Sequence, residues 1–281
     1  MTDGLEQRSD GDLLAAARQG DRTALESLLL RYQPRVLRFG VKMCRNPEDA
    51  GDVLQETLLT MARSLRDFRG DASVSTWLFT IARRFCLKKR RRSKFAPVRE
   101  ESLDELGAPQ RDALAAPGPG PEQAAFGREI ETALSAAIAG LDPGQREVLV
   151  LRDIEGLSAP EVGTVLGLSV DAVKSRLHRA RLAVRQSVAP KLGIPLDTPP
   201  SAPGCPDVLT LFSRYLEGEI APDVCARMEA HLEQCGGCRG ACDSLKRTIA
   251  LCRATPAPDV PPAIADSVRD AIRAFLQQQT T

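Results

Sequence analysis

Two long stretches of this chain, residues 9–95 and 125–192, carry apolar residues at every third or fourth position. That spacing places the apolar residues on one side of an α-helix, and no segment shows the strict alternation typical of a half-buried strand. Aromatic residues make up only 4 % of the chain while Ala, Leu and Arg abound, and this composition favours helices over sheets. The sequence therefore predicts an all-α fold.

Segments rich in proline and glycine interrupt the helical stretches. Residues 115–121 read Ala-Ala-Pro-Gly-Pro-Gly-Pro, a composition with too little apolar surface to fold. A second proline-rich joint precedes a segment that holds six of the eight cysteines. The expected organisation is two small helical domains at 9–95 and 125–192, a disordered acidic linker at 96–124, a second linker at 193–204, a cysteine domain at 205–254 and a tail helix at 255–281.

Bulk properties exclude several classes of protein. No apolar run approaches the roughly 18–20 residues that span a bilayer, and the polar segment Met1–Asp12 has no signal-peptide core. We therefore expect a cytoplasmic protein without membrane contact, in which cysteines serve as metal ligands or redox thiols rather than disulfides. With only two histidines and no nucleophile–base arrangement, the chain is not expected to be an enzyme.

The strongest DNA-binding signal lies between Ser158 and Arg185. A helix predicted over 159–166 ends at Gly167, which suits the left-handed turn at a helix end, and Ser169 caps a second helix. The second helix has one apolar stripe and a basic outer surface. We expect it to enter the major groove, with early outward residues at base edges and the later Arg181 and Arg185 on phosphates. The stripe comprises Val173, Leu177, Ala180 and Val184.

A basic run lies at the end of the first helical stretch. Eight basic residues and no acidic one fall between Arg83 and Lys94. Such a run supplies phosphate affinity by counterion release, although a solvated helix face explains it equally well. The polar loop at 70–75 suits an unstacked base of opened DNA. Trp77, beside this loop, fits a core position better than a stacking platform.

The cysteine domain has the spacing of a metal site. Cys235 and Cys238 form a CxxC knuckle in which two thiolates meet one tetrahedral ion, and His231 is placed to supply a third ligand. Cys205 is the natural fourth ligand if a helical hairpin over 208–216 and 223–232 brings it back. The spacing of 4, 3 and 4 residues also admits Cys242 as an alternative ligand.

Four segments resemble the extracytoplasmic-function (ECF) sigma factors of bacterial RNA polymerase. Residues 49–58, Asp-Ala-Gly-Asp-Val-Leu-Gln-Glu-Thr-Leu, are similar to the polymerase-binding helix of that family. Residues 75–83, Ser-Thr-Trp-Leu-Phe-Thr-Ile-Ala-Arg, are similar to its promoter-melting segment, and residues 149–158 and 173–181 to its second DNA-binding domain. The segments stand in the family's order, over about 10–95 and 125–190.

The resemblance implies a sigma factor that directs transcription initiation with core RNA polymerase on promoter DNA. It implies that the acidic linker follows the RNA-exit path of the polymerase. Arg84 and Lys88 replace the Asn and Asp that are common in the family, so no specific −10 sequence follows. The implied contacts are Asp49, Asp52, Gln55 and Glu56 for core polymerase; Ser73, Ser75, Thr76, Trp77, Arg83, Arg84, Lys88 and Arg91 for the −10 element; and Asp171, Lys174, Ser175, Arg176, His178 and Arg179 for the −35 element.

The cysteine domain resembles zinc-binding anti-sigma domains, which also carry Tyr-Leu-Glu-Gly-Glu, here at 215–219. Such a domain is normally a separate protein that blocks its sigma factor, so the fusion suggests an intramolecular contact that regulates the chain's own sigma domains. Structural zinc is the favoured cofactor. Copper or cadmium sensing and a thiol redox switch stay open, because cysteine-rich domains of metal-responsive sigma factors also use soft thiolates. The alternative function is a metal- or redox-responsive helix-turn-helix regulator that acts without core polymerase.

Overall fold

The computed structural model describes residues 8–44, 47–65, 67–68, 70–93, 121–193 and 204–278. These residues form helices and no β-strand, which confirms the predicted all-α fold. Most of the first predicted linker and nearly all of the second lie outside the described residues. No described helix combines the length and apolar character that crossing a membrane requires.

The chain divides into two compact units. The first contains the described residues within 1–103, 164–167 and 256–281, and the second those within 104–163 and 168–255. In chain order the α-helices are α1 (Asp10–Arg18), α2 (Arg22–Met43), α3 (Pro47–Ser64), α4 (Val74–Ser93), α5 (Pro121–Gly140), α6 (Pro143–Leu149), α7 (Ala159–Leu166), α8 (Val170–Val188), α9 (Val208–Leu216), α10 (Pro222–Gln234), α11 (Gly236–Arg253) and α12 (Pro262–Gln278).

In the first unit, α2, α3 and α4 pack around one apolar core. Phe39 and Phe79 meet at its centre, with ring centroids 5.4 Å apart. Helices α2 and α3 approach closely at Gly40, where a Cβ atom would lie 3.1 Å from the Cα of Ala50. The tail helix α12 adds to this unit by packing along α3. Its apolar residues supply the contact, since Val268 and Ile272 are buried.

The second unit contains α8 and the first part of α7, and so most of the predicted helix-turn-helix. Gly167 has a φ of +67° in the turn, and the side chain of Ser169 accepts the backbone N–H of Ala172 to cap α8. The turn is also tight at Gly163, where a Cβ atom would lie 2.8 Å from the carbonyl oxygen of Leu168. Helix α6 continues into a π-helical turn at Val150–Ile154, which positions acidic and basic side chains beside α8.

Helices α9, α10 and α11 form the cysteine module, defined here as residues 204–254. Its small core includes Phe212, Met228 and Leu245. The module packs on α8 through α9 and α11 and so belongs to the same compact unit as most of the helix-turn-helix. The division of the chain at 205–254 stays a prediction, and within this unit the module contacts α8.

Candidate metal centre and nucleic-acid interface

The four predicted metal ligands lie close together in the second unit. Cys205 precedes α9, His231 lies near the end of α10, and Cys235 and Cys238 lie at the start of α11. One ligand atom from each residue lies within 4.8 Å of the other three, and the sulfurs of Cys205 and Cys235 are 3.9 Å apart. The hairpin of α9 and α10 therefore returns Cys205 to the other three ligands.

The chemistry of this group fits a bound cation. Nε2 of His231 is buried and has no hydrogen-bond partner among the described residues, a costly arrangement unless a ligand uses its lone pair. The backbone amide of Cys238 points at the sulfur of Cys235 and lowers the pKa of that thiol. Burial raises the pKa of Cys238 to about 12, so a cation is needed to make it a thiolate near neutral pH. One imidazole and three thiolates form a set that suits tetrahedral Zn²⁺.

The structure does not bring Cys242 into this group. Cys242 lies one turn beyond Cys238 on α11 and is 1 % exposed. Its thiol points at the carbonyl oxygen of Val208, 3.8 Å away, and burial raises its pKa to about 11. Cys242 therefore serves the apolar core of the cysteine module, and Cys205 is the better-placed fourth ligand.

Helix α8 is buried on two sides. The predicted apolar stripe is buried as expected, at Val173, Leu177, Ala180 and Val184. Arg181 is also 0 % exposed, and Arg185 is buried and donates to Ser244 on α11 at 3.0 Å. The prediction that both arginines point outward to phosphates is wrong for this structure, because the cysteine module covers their side of α8.

An ionic network surrounds Arg181. Its guanidinium donates two hydrogen bonds to Asp153, at 2.7 and 2.6 Å, and a third to Glu217 of the module at 2.9 Å. Arg152 donates to the other carboxylate oxygen of Glu217 at 3.1 Å. Burial alone would lower the pKa of Arg181, but the two carboxylates outweigh it and raise the pKa. Glu217 thus links the module to two arginines.

Two predicted −35 residues also contact the module. The ammonium of Lys174 lies 2.9 Å from a carboxylate oxygen of Glu219. Nε2 of His178 lies 3.1 Å from the hydroxyl oxygen of Thr210 on α9. Burial lowers the pKa of His178, against the opposing charge of Asp207. From Lys174 to Arg181, the module therefore engages one side of α8 along two turns.

The other predicted −35 residues differ in how far they are exposed to solvent. Asp171, Ser175 and Arg179 are exposed, while Arg176 is half-buried and its guanidinium lies beside Gly144 near the start of α6. Helical periodicity places Ser175 and Arg179 away from the side of α8 that carries Lys174 and Arg181, whereas Asp171 lies one turn before Lys174. Only part of the predicted base-reading set is therefore open to DNA in this conformation.

The first predicted −10 residues lie in the loop before α4 and in the first turn of that helix. The exposed Ser73 caps α4 by accepting the N–H of Thr76 at 3.2 Å. The hydroxyl of Ser75 lies 3.0 Å from that of Tyr32 and 3.4 Å from the guanidinium of Arg35. Thr76 is only 2 % exposed. Ser75 therefore holds the start of α4 against α2, Thr76 is buried, and Ser73 is the surface member of the set.

Trp77 and the basic residues that follow occupy different surfaces. The Trp77 ring stacks on Phe68, with centroids 4.5 Å apart and planes 25° from parallel, as expected for a side chain used in packing. Arg84, Lys88 and Arg91 are exposed along α4, and Arg83 is half-buried. These exposed cations form a basic face on α4, although Lys94 at the end of the run lies outside the described residues.

The predicted polymerase-binding residues lie on α3, where two of them have a partner that the sequence did not reveal. Lys89 of α4 forms ion pairs with Asp52 and with Asp49, the latter at 3.5 Å. Its pKa is raised, chiefly by the hydrogen bond to Asp52. Asp52, Gln55 and Glu56 line a cleft of about 170 Å³ between α3 and α4. These side chains therefore share one rim of the first unit.

Helix α12 covers a neighbouring side of α3. The side chain of Ile264 lies where a Cβ on Gly51 would be only 3.0 Å away, and the Phe275 ring lies 6.0 Å from the guanidinium carbon of Arg63. Ile264 meets Gly51 near the start of both helices, and Phe275 meets Arg63 near the end of both. The two helices therefore run parallel. Gln55, one turn after Gly51, is half-buried.

Glu217, Glu219 and Lys89 pair with predicted site residues or their neighbours but were not themselves predicted as site residues. The first two belong to the Tyr-Leu-Glu-Gly-Glu segment, which the resemblance to anti-sigma domains had already singled out. Lys89 stands within the basic run, and only the packing of α3 against α4 shows which acidic residues it meets.

Three protein families match successive parts of the chain. Sigma-70 region 2 matches residues 28–95 and Sigma-70 region 4 matches residues 131–184. A zinc-finger family matches residues 205–239, which include the four clustered ligands. The matches therefore follow the first unit, the helix-turn-helix and the cysteine module in order.

Curated proteins and a solved structure give the same likeness. The RNA polymerase sigma-H factor of Pseudomonas aeruginosa is 32 % identical over 67 % of this chain and 98 % of its own length. The ECF RNA polymerase sigma factor SigM of Mycobacterium tuberculosis is 36 % identical over 63 % of this chain and 84 % of its own. The structure of CnrH in complex with the cytosolic domain of CnrY aligns at a TM-score of 0.45 and 28 % identity, over 63 % of this chain and 95 % of CnrH. The two curated relatives, each more than 30 % identical and matched over most of its own length, show that the chain belongs to the ECF family of RNA polymerase sigma factors.

Proposed function

We propose that this sigma factor directs transcription initiation at specific promoters and that its own C-terminal part holds it inactive until a signal releases it. The observation that carries this proposal is the contact of Glu217 and Glu219 with cations on and beside the helix expected to read the −35 element. Asp49, Asp52, Gln55 and Glu56 would contact core polymerase, and the basic face of α4 would contact the −10 region.

The carboxylates of the cysteine module occupy the cations that DNA would use. Guanidinium and ammonium groups bind carboxylate and phosphate oxygens by the same charge-assisted hydrogen bonds. A DNA phosphate brought to Lys174 would meet the like charge of Glu219, whose carboxylate oxygen lies 2.9 Å from the ammonium. The bulk of α9 would also lie along the side of α8 that carries His178. Binding of the module and of promoter DNA to α8 should therefore be mutually exclusive.

The tail helix supports the same proposal in the first unit. Helix α12 lies along α3, which carries the four residues expected to bind core polymerase. Because Ile264 rests on Gly51 and Gln55 is half-buried, α12 takes up surface directly beside that set. A polymerase subunit that docks on α3 would have to displace it.

Zinc is the metal we propose for the group of Cys205, His231, Cys235 and Cys238. When bound, it would act as a structural cross-link with no chemistry of its own. Its ligands come from the segment before α9, the end of α10 and the start of α11, so they fix the module's three helices together. This keeps Glu217, at the end of α9, in place against Arg181.

The proposal is tested by run-off transcription with purified core polymerase. The full chain is compared with a version that ends after Asp197, on a promoter selected from random sequence with the shorter version. We expect transcripts from the truncated chain and few or none from the full chain. Activity of the full chain alone would make the C-terminal part an activator. If neither version binds core polymerase while both bind duplex DNA tightly, the alternative of a regulator that acts without polymerase is correct.

A further inference from the structure

Two cysteines outside the cysteine module meet in the first unit. Cys44 and Cys86 are 42 positions apart in the chain, yet their sulfur atoms are 3.3 Å apart. They are the remaining two of the eight cysteines. Neither belongs to the metal group, and neither is among the residues expected to bind promoter or polymerase.

The two thiols differ in access and in backbone freedom. Cys86 is 2 % exposed and fixed within α4. Cys44 is half-buried and follows the last residue of α2 in extended conformation, with φ −85° and ψ 162°. A small oxidant can therefore reach Cys44 first, while Cys86 is shielded behind it. Closing a bond from 3.3 Å needs the sulfurs to approach by about 1.3 Å, and Cys44, beyond the helix end, is placed to make this movement.

We propose that Cys44 and Cys86 form a peroxide-sensitive dithiol that closes to a disulfide. The Cys44 thiolate attacks a hydroperoxide, so that an S–O bond forms, the O–O bond breaks, and the leaving oxygen takes a proton as water or alcohol. The Cys86 thiolate then attacks the sulfenic sulfur, the S–S bond forms, and the S–O bond breaks with release of water. Two thiols and one hydroperoxide thus give one disulfide, one water or alcohol, and one further water.

The position of this bond gives it a consequence for α4. Cys86 stands between Arg84 and Lys88, the exposed cations of the basic face. A disulfide would attach this part of α4 to the end of α2 and restrict movement of that face relative to α2. This consequence rests on the proposed role of α4 at the −10 element, whereas the oxidation itself does not.

Peptide mapping of the full wild-type chain with its metal bound tests the proposal. The protein is treated with hydrogen peroxide, remaining thiols are blocked with N-ethylmaleimide, and trypsin digestion is done without reductant. We expect Met43–Arg45 joined to Phe85–Lys88, a pair that disappears after dithiothreitol. In Cys86→Ala, dimedone should instead trap a sulfenic acid on Cys44. Recovery of both peptides as maleimide adducts at peroxide doses that oxidise a small-molecule dithiol, or a link from Cys44 to another cysteine, would overturn the proposal.

Discussion

Replacing Glu217 by glutamine removes the charge that links the cysteine module to Arg181 and Arg152. Glutamine keeps the size of the side chain and one carbonyl oxygen, but its amide group is a donor that faces guanidinium donors. Arg181 keeps its two hydrogen bonds to Asp153 and stays paired. Arg152 loses its ion pair with Glu217. The variant therefore weakens the contact between the module and α8 and leaves the Arg181–Asp153 pair intact.

The expected size follows from the burial of this contact. Glu217 has a side chain only 5 % exposed and Arg181 one that is 0 % exposed, so water does not replace the lost charge. Loss of hydrogen bonds to charged groups in such a place costs about 2–3 kcal/mol. In the closed form the module covers α8, and in the open form it does not. If this energy is lost only in the closed form, the ratio of open to closed chain rises about 30- to 150-fold. The apparent affinity of the full chain for −35 DNA should rise by up to the same factor.

Fluorescence anisotropy of a labelled duplex, selected with the chain truncated after Asp197, measures this affinity at fixed salt. Asp223→Asn is the matched control, because it removes a module carboxylate whose pair with Arg227 is about 75 % exposed. Such exposed pairs contribute about 0–1 kcal/mol, so the control should behave like the wild type. Equal affinities for Glu217→Gln, Asp223→Asn and wild type would refute the reasoning.

Three further experiments address the metal site, the tight turn and the pH dependence of DNA binding. Cys238→Ser should abolish stoichiometric zinc and lower the Tm, whereas Cys242→Ser should keep the zinc; atomic absorption and thermal melts distinguish them. Gly163→Ala should destabilise the fold by about 1–3 kcal/mol in urea unfolding, since its Cβ would lie 2.8 Å from a backbone oxygen, while Gly127→Ala, with open space around it, should not. Because burial lowers the pKa of His178 in the closed form, the open form takes up a proton more readily as pH falls below about 6.5. DNA affinity of the full chain should then rise on acidification, and less so in His178→Gln; an identical pH profile in that variant would contradict this.

The helix-turn-helix could be predicted from sequence because its signals are local. Gly167 and Ser169 determine where α7 ends and α8 begins, and the predicted helices over 159–166 and from Val170 match the observed ones. Three of the metal ligands could be predicted for a similar reason, since His231 and the two CxxC cysteines lie within eight positions of one another. Predicting Cys205 as the fourth ligand also required the assumption that α9 and α10 form a hairpin.

The covered side of α8 could not be predicted in this way. A helical pattern places Arg181 outward, because an unpaired charge is costly to bury. Here it is buried with Asp153 and Glu217, which lie 28 and 36 positions away, and no periodicity links such distant residues. The same holds for Lys89, whose partners on α3 appear only once the helices are packed.

Zero-length carbodiimide cross-linking of Lys174 to Glu219, which lie 2.9 Å apart, tests directly whether the module and promoter DNA compete for α8. The unbound chain should give this cross-link in high yield, detected by mass spectrometry of tryptic peptides. As core polymerase and the selected promoter are titrated in, the yield should fall in step with binding, because the two contacts compete. A yield that stays unchanged on chains bound to polymerase and promoter would show that the module does not compete with promoter recognition.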